Sequence, residues 1–161
     1  MAEEEEESTV TKTTSYLRAA AEGRGISHVE SLILHGLEIV HVGRGILRCN
    51  MLLTDRVSDG AGNWSVGARA AAMDTIGAVA VYSDGDGVFS SVDFNCSFYS
   101  TAKIQEEVEM EAKVVGRNGS LKSAKIEIRR KGNGDLVAMG RLWMTKFSLN
   151  FKSKASYLSK L

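Results

Sequence analysis

The sequence predicts a single α+β domain in which an antiparallel sheet wraps around one long buried helix. The chain has 161 residues, a length typical of one domain. Residues 65–81 are almost uninterruptedly apolar, which indicates a helix that is buried on every face. The segments after it alternate apolar and polar residues and are joined by tight-turn sequences. This order favours consecutive antiparallel strands over the alternating strands and helices of a parallel sheet.

The composition excludes several classes of protein. It is 43% hydrophobic and 25% charged, with no apolar run near the roughly 20 residues of a membrane span, so a membrane-spanning or wholly disordered chain is excluded. The formal net charge is zero, but five of the 20 acidic residues form the run 3–7. We therefore expect residues 1–8 to be a disordered acidic tail. The remainder is mildly basic, too weakly for a nucleic-acid partner but suitably for a ligand with a few phosphates.

The first elements are helical. Residues 9–36 form an N-terminal helical segment: a loose apolar stripe predicts a helix over 9–21, and a second short helix begins at Ser27. Ser27 caps this helix and Glu30, three residues on, completes a capping box. Residues 37–54 are two apolar stretches around a glycine-rich turn, which predicts either a hairpin or one long bent strand.

The central helix and four strands follow. We expect the sheet to enclose the helix, as the only way to cover all of its faces. Alternation predicts strands over 91–98 and 107–115, and two turn sequences, Asn118-Gly119 and residues 132–135, lead into strands over 121–130 and 136–147. We assign residues 37–150 to the folded domain and 151–161 to a C-terminal tail.

Asp74 is the one carboxylate inside the predicted buried helix. Burying an unpaired charge is costly, so such a group either has a specific partner or borders a cleft, where burial raises its pKa. A partner such as Arg69 or a backbone amide is the structural interpretation. The functional interpretation is a general base or nucleophile that faces a pocket, and it makes Asp74 the leading catalytic candidate.

The start of this helix is a second candidate site. Free backbone amides and the positive end of the helix dipole, near Val66 and Gly67, can hold a carbonyl oxygen. Val66 and Asp74 are eight residues apart, about 12 Å along a helix that rises roughly 1.5 Å per residue. One helix therefore cannot bring both groups to a single carbonyl. If they cooperate, each site takes amides from one chain and the carboxylate from another, which requires at least a dimer.

A family resemblance rests on three motifs. Residues 63–67, then Asp74, then the strand and turn of residues 89–103 resemble the hotdog-fold acyl-CoA thioesterases, specifically the group of PaaI and mammalian thioesterase superfamily member 2. The resemblance covers roughly residues 37–147. It implies the hotdog fold, hydrolysis of an acyl-CoA thioester, and a homodimer or a dimer of dimers. It implies no separate cofactor, because coenzyme A is part of the substrate.

The same resemblance implies roles for individual residues. Asp74 matches the aspartate that activates water, and Ser91 matches a serine that helps to position the water. Gly67 matches the last glycine of the family's His-Gly-Gly sequence at the helix start. Ser65 and Val66 stand at its histidine and middle glycine, so Ser65 is a candidate catalytic residue and the Val66 amide a candidate ligand of the carbonyl oxygen.

The upstream asparagine of the family, which helps to bind the carbonyl, falls on Asp59 if the loop aligns without gaps. An ionised aspartate accepts hydrogen bonds and repels developing negative charge. Asn63 is the alternative if the glycine-rich loop takes another route. The sequence thus leaves two functions open: a thioesterase in which Asp74 activates water, and a weakened hotdog protein that binds acyl-CoA without efficient hydrolysis because Asp59 and Ser65 have replaced the polarising pair.

The remaining signals concern location and other sites. The tripeptide Ser159-Lys160-Leu161 predicts recognition by the peroxisomal import receptor, with the cytoplasm as the alternative location. Neither Cys49 nor Cys96 has metal-ligand spacing, so we expect reduced core thiols and no metal site. The basic run 129–131 is either a solvated sheet edge or a clamp for the phosphates of coenzyme A.

Overall fold

The computed structural model describes residues 2–85 and 87–147, and these form an antiparallel sheet packed against a long helix. The elements in chain order are α1 (Ala2–Ala21), α2 (His28–Ile33), β1 (Glu38–Gly43), β2 (Ile46–Leu52), a short 3-10 helix (Asp55–Val57), α3 (Val66–Ser83), β3 (Val88–Phe98), β4 (Glu107–Asn118), β5 (Leu121–Arg130) and β6 (Leu136–Phe147). The predicted α+β class and antiparallel sheet are confirmed. Within the described residues, no helix is both long and apolar enough to span a membrane.

The six strands are ordered β1-β2-β4-β5-β6-β3, and every neighbouring pair is antiparallel. β1 and β2 form a hairpin, which decides between the two arrangements left open by the sequence. β3 does not pair with β4, the next strand in the chain, but crosses to β6 and lies at the edge of the sheet. This crossing brings β3 alongside the helix that precedes it, and so positions Ser91 near the middle of α3.

Helix α3 is held on two sides. It contacts β2 to β6, and Gly77 allows a close approach, because a Cβ at that position would lie 2.9 Å from Cδ1 of Ile126. Helices α1 and α2 also pack on α3. The predicted packing of the sheet around the helix is confirmed, but the sheet is not the only cover of α3. A sheet covers one side of a cylinder, and the N-terminal helices cover part of the other.

The N-terminus differs from the sequence prediction. Helix α1 begins at Ala2, so the backbone of residues 2–8 is helical where we expected part of a disordered tail over residues 1–8. Glutamate is a good helix former, and negative charge is favoured at a helix N-terminus, which explains the extension. The predicted capping box of α2 is confirmed: the Ser27 hydroxyl accepts from the amide of Glu30, and the Glu30 carboxylate accepts from the amide of Ser27.

The C-terminal end of α3 is anchored by Asp84, whose side chain is only 1% exposed. Arg117 of β4 donates to both carboxylate oxygens, from Nε at 2.9 Å and from Nη2 at 2.5 Å, and Nζ of Lys122 on β5 lies 3.1 Å away. Burial opposes ionisation of Asp84, but these two cations outweigh it and lower its pKa. These ion pairs connect the C-terminal end of α3 to β4 and β5, in the middle of the sheet.

The C-terminal tail over 151–161, with its targeting tripeptide, lies outside the described residues, as does the end of the domain assigned to 37–150. The domain bounds stay predictions. Both cysteines are free thiols, Cys49 buried and Cys96 half-buried. No group of three potential metal ligands occurs among the described residues.

Candidate active site

Asp74 and Ser91 are brought together by the crossing of β3. Ser91 Oγ donates a hydrogen bond to Asp74 Oδ1 at 3.2 Å. Burial raises the pKa of Asp74, and the hydrogen bond from Ser91 offsets part of that effect. Arg69, the structural partner considered from sequence, does not contact the carboxylate but donates from Nη1 to the carbonyl oxygen of Ser100. Asp74 is therefore a half-buried carboxylate with a hydroxyl partner, which is an arrangement suited to a general base.

The pair lines a cavity of about 640 Å³ between α3, β3 and the N-terminal helices. This volume lies in the range of small-molecule sites. Val79, Phe89 and Met144 give it an apolar wall, while Tyr16 and Glu30 contribute polar groups from α1 and α2. Burial, followed by a hydrogen bond to Glu30, raises the pKa of Tyr16 well above its ordinary value. Sequence reasoning did not place Tyr16 or Glu30 at a cavity, because the contact of the N-terminal helices with α3 leaves no local pattern and the capping box of Glu30 indicates only a helix start.

The start of α3 presents backbone donors. Ser65 is the N-cap, and its hydroxyl accepts from the amide of Ala68 at 3.1 Å. No acceptor among the described residues faces the amides of Val66 and Gly67, and a Cβ at Gly67 would have open space around it. These two amides are therefore available to an oxygen atom. The Ser65 hydroxyl is already engaged, so the structure gives this residue a capping function.

Asp59 and Asn63 bind each other across the glycine-rich loop. Oδ1 of Asp59 accepts from the amides of Ala61 at 2.8 Å and Asn63 at 3.1 Å, and its Oδ2 accepts from Nδ2 of Asn63 at 3.2 Å. These hydrogen bonds lower the pKa of Asp59, those to the backbone most strongly. The carboxylate stabilises a turn, and the Asn63 amide is committed to it.

Two separate groups thus exist within one chain. Asp74 and Ser91 lie beside the cavity, while Asp59, Asn63 and Ser65 lie at the start of α3, about 12 Å away along the helix axis. The roles predicted for these residues within one shared site therefore stay predictions. It does describe how each residue is held.

The basic run 129–131 is held by internal partners. Arg129 contacts Glu127, Arg130 contacts Glu106, and Lys131 contacts Glu107. Each cation is thereby neutralised locally. This pattern argues against the clamp for phosphates, and the expected sheet edge is wrong as well, because β5 lies between β4 and β6 inside the sheet.

The segment that contains these residues is similar to known proteins. Residues 61–137 match the thioesterase superfamily, a segment that includes the start of α3, Asp74 and Ser91. Acyl-coenzyme A thioesterase 13 of mouse (Mus musculus) is 28% identical over 110 residues, which are 68% of this chain and 79% of the relative.

Two solved structures share the fold. Zebrafish thioesterase superfamily member 2 superposes with a TM-score of 0.73 at 27% identity, covering 86% of this chain and 99% of the other. Escherichia coli PaaI, from the phenylacetic acid degradation operon, gives a TM-score of 0.71 at 18% identity, covering 87% and 96%, and shows the likeness of fold alone. The shared architecture gives the described residues the hotdog fold, and residues 61–137 are similar to the thioesterase superfamily.

Proposed function

We propose that this protein hydrolyses acyl-CoA thioesters and that Asp74 is the general base. The observation that carries the proposal is the Ser91–Asp74 hydrogen bond on the wall of a cavity of about 640 Å³. The relative named acyl-coenzyme A thioesterase 13 supports acyl-CoA as the substrate class. The cavity accounts for the acyl group, and its mixture of apolar and polar walls leaves the choice between fatty and aromatic acyl groups open.

In the proposed reaction, Asp74 removes a proton from a water molecule that Ser91 helps to hold. The water oxygen attacks the carbonyl carbon of the thioester, and negative charge collects on the carbonyl oxygen. An amide of Val66 or Gly67 donates to that oxygen. The C–S bond then breaks, so that the products are a carboxylic acid and coenzyme A, whose thiolate takes up the proton.

The reaction requires two chains, because the amides and the carboxylate lie too far apart in one. The β3 edge offers a surface for the second chain: it pairs with β6 on one side, and Val92, Phe98 and Tyr99 along it are exposed. An open strand with exposed apolar side chains is a template for pairing. We therefore include a homodimer, or a dimer of dimers, in the proposal.

A second function is favoured by one observation. Neither polar side chain that the resemblance places at the carbonyl is arranged as a donor to it, since the Ser65 oxygen accepts at the helix cap and the Asn63 amide binds Asp59. Loss of one donor to an oxyanion typically lowers turnover roughly 10²–10³-fold. A protein that binds acyl-CoA and hydrolyses it slowly is therefore the alternative.

A hydrolysis screen over acyl-CoAs of different chain length and aromaticity, with binding measured in parallel, tests both functions. We expect turnover of at least one substrate, abolished in Asp74→Asn with binding retained. Binding without turnover would support the alternative, and turnover that persists within about tenfold in Asp74→Asn would contradict the role of Asp74.

For location, we propose import into peroxisomes through Ser159-Lys160-Leu161. A fluorescent fusion at the N-terminus should reach peroxisomes, and one residue added after Leu161 should leave it in the cytosol. Unchanged import of the extended protein would show that the tripeptide is not the signal.

A further inference from the structure

Arg69, in the first turn of α3, is a buried cation with incomplete hydrogen bonding. The residue is only 2% exposed, and its guanidinium lies 4.7 Å from the ring centroid of Phe98 and 6.0 Å from that of Trp64. Nη1 donates to the carbonyl oxygen of Ser100 at 2.7 Å. Among the described residues, Nε has no acceptor and no carboxylate pairs with the guanidinium.

This placement is unfavourable for stability on two counts. Buried charges in proteins are normally paired, and here the compensation is limited to two aromatic faces and one carbonyl oxygen. A cation in the first turn of a helix also has the same sign as the nearby end of the helix dipole. Burial lowers the pKa of Arg69, yet a guanidinium remains charged at any physiological pH. A stabilising role alone does not explain the residue.

The same placement is favourable for a developing anion. Arg69 follows Val66 by three residues, roughly one helical turn, so it belongs to the same turn of α3 as the two amides that have no acceptor, and its guanidinium packs on Trp64, the residue just before the helix cap. The nearby side chains add no other positive charge: Ser65 is neutral and accepts at the helix cap, Trp64 is neutral, and hydrogen bonds lower the pKa of Asp59 and so favour its anion. A fixed positive charge in a poorly hydrated site stabilises an oxyanion more strongly than it would in water.

We propose that Arg69 is a positioning residue of the thioester-oxygen site: it fixes the first turn of α3 against the end of β3 and adds permanent positive charge beside the Val66 and Gly67 amides. The inference rests on the proposed function, and it assigns to this chain a source of oxyanion stabilisation that does not depend on Asp59, Asn63 or Ser65. Arg69 acts through the helix and its potential, without touching the reacting atoms.

Two substitutions separate this role from a structural one. Arg69→Met keeps much of the volume and removes the charge. We expect kcat to fall at least tenfold with KM changed by less than about threefold, and the melting temperature to stay equal or rise, because an unpaired buried charge has been removed. Arg69→Lys keeps the charge and should recover part of kcat. A lower melting temperature in Arg69→Met, with equal losses in both variants, would show a structural role and overturn the proposal.

Arg130→Met is the matched control. Arg130 also binds the loop that follows β3, through Ser100 Oγ at 3.3 Å and the carbonyl oxygen of Thr101, but it belongs to β5 and its charge is paired with Glu106. We expect this variant to lower the melting temperature and to leave kcat within about threefold. A kcat loss equal to that of Arg69→Met would attribute the effect to the loop and overturn the electrostatic role.

A binding measurement makes the test independent of turnover. The two probes are acyl-CoA analogues in which the thioester is replaced by a ketone, which keeps the carbonyl oxygen, or by a thioether, which lacks it. Wild type should bind the ketone more tightly, and Arg69→Met should lower that preference at least about threefold. An unchanged preference overturns the inference whether or not wild type hydrolyses thioesters. If wild type binds the ketone preferentially but does not hydrolyse thioesters, and Arg69→Met loses that preference, the proposed function is refuted and the inference is supported.

Discussion

At the scale of single residues, the Ser91–Asp74 hydrogen bond sets the protonation of the proposed base. The hydrogen bond stabilises the ionised carboxylate, so Ser91→Ala should raise the pKa of Asp74 further. A general base works only when ionised, and activity is lost as the pH falls through its pKa. We therefore expect the acidic limb of the kcat/KM profile to move to higher pH in Ser91→Ala. Ser90→Ala, on the same cavity wall, is the control and should leave the limb in place.

Asp74→Asn should abolish hydrolysis and stabilise the fold at neutral pH. The pKa of Asp74 is raised in the folded protein, so the protonated form is favoured there and the ionised form destabilises the fold. The stability that protonation provides is complete below the ordinary pKa of an aspartate and is lost as the pH rises through the folded-state pKa. The gain from Asp74→Asn should thus be small in acid and larger at neutral pH.

Thermal unfolding at several pH values checks this linkage, given that 1 kcal/mol corresponds to about 2–4 °C in a chain of this size. A melting temperature that falls in Asp74→Asn at neutral pH would contradict the raised pKa and indicate a structural carboxylate.

At the scale of elements, the Asp84 network fixes the end of α3 and thereby the direction of the helix that carries Asp74. The pKa of Asp84 is lowered in the folded protein. The stability that the ionised Asp84 contributes is therefore present above the ordinary pKa of an aspartate and is lost as the pH falls through the folded-state pKa. Asp84→Asn should destabilise the protein by roughly 2 kcal/mol at neutral pH, because Lys122 and Arg117 lose their partner.

The matched control is Glu127→Gln on β5. Glu127 pairs with Lys125 and Arg129, but all three side chains are partly exposed, so the loss should stay below about 1 kcal/mol. Chemical denaturation of the two variants gives the comparison. Equal losses would show that burial adds nothing to the Asp84 network.

The elements themselves were largely predictable. The turns at Asn118-Gly119 and residues 132–135 give β5 and β6 with the bounds seen in the structure, and Ser27 and Glu30 identify the capping box of α2. What could not be predicted depends on contacts between distant segments. The pairing of β3 with β6 and the covering of α3 by the N-terminal helices follow from tertiary packing, which leaves no local pattern.

The candidate site was also predictable only in part. Asp74 stands out from sequence as one carboxylate in an apolar helix, and its contact with Ser91 follows the family resemblance. The mutual binding of Asp59 and Asn63 was not predictable, because it depends on the route of the glycine-rich loop. Arg69 carries no motif at all, and its isolation from carboxylates becomes visible only when its surroundings are known.

At the scale of the whole molecule, shared active sites predict complementation between inactive chains. Asp74→Asn lacks the base, and Gly67→Pro lacks an amide but is compatible with the first turn of a helix. After unfolding and refolding the two variants together, half of randomly formed dimers are mixed, and each mixed dimer has one intact site of two. We expect about a quarter of wild-type activity to return. Recovery no greater than the sum of the separate variants would contradict a site shared between chains.

The position of β6 at the end of the described chain has a consequence for how the protein is made. Within the described residues, β6 is the only strand that pairs with β3, although almost forty residues separate the two strands. During synthesis, α3 and β3 therefore emerge well before the strand that completes their side of the sheet. Strand pairs between distant segments form slowly, and the incomplete chain exposes apolar surface until β6 has been synthesised. Truncations that remove β6 should consequently yield chains that aggregate or engage chaperones rather than smaller folded domains.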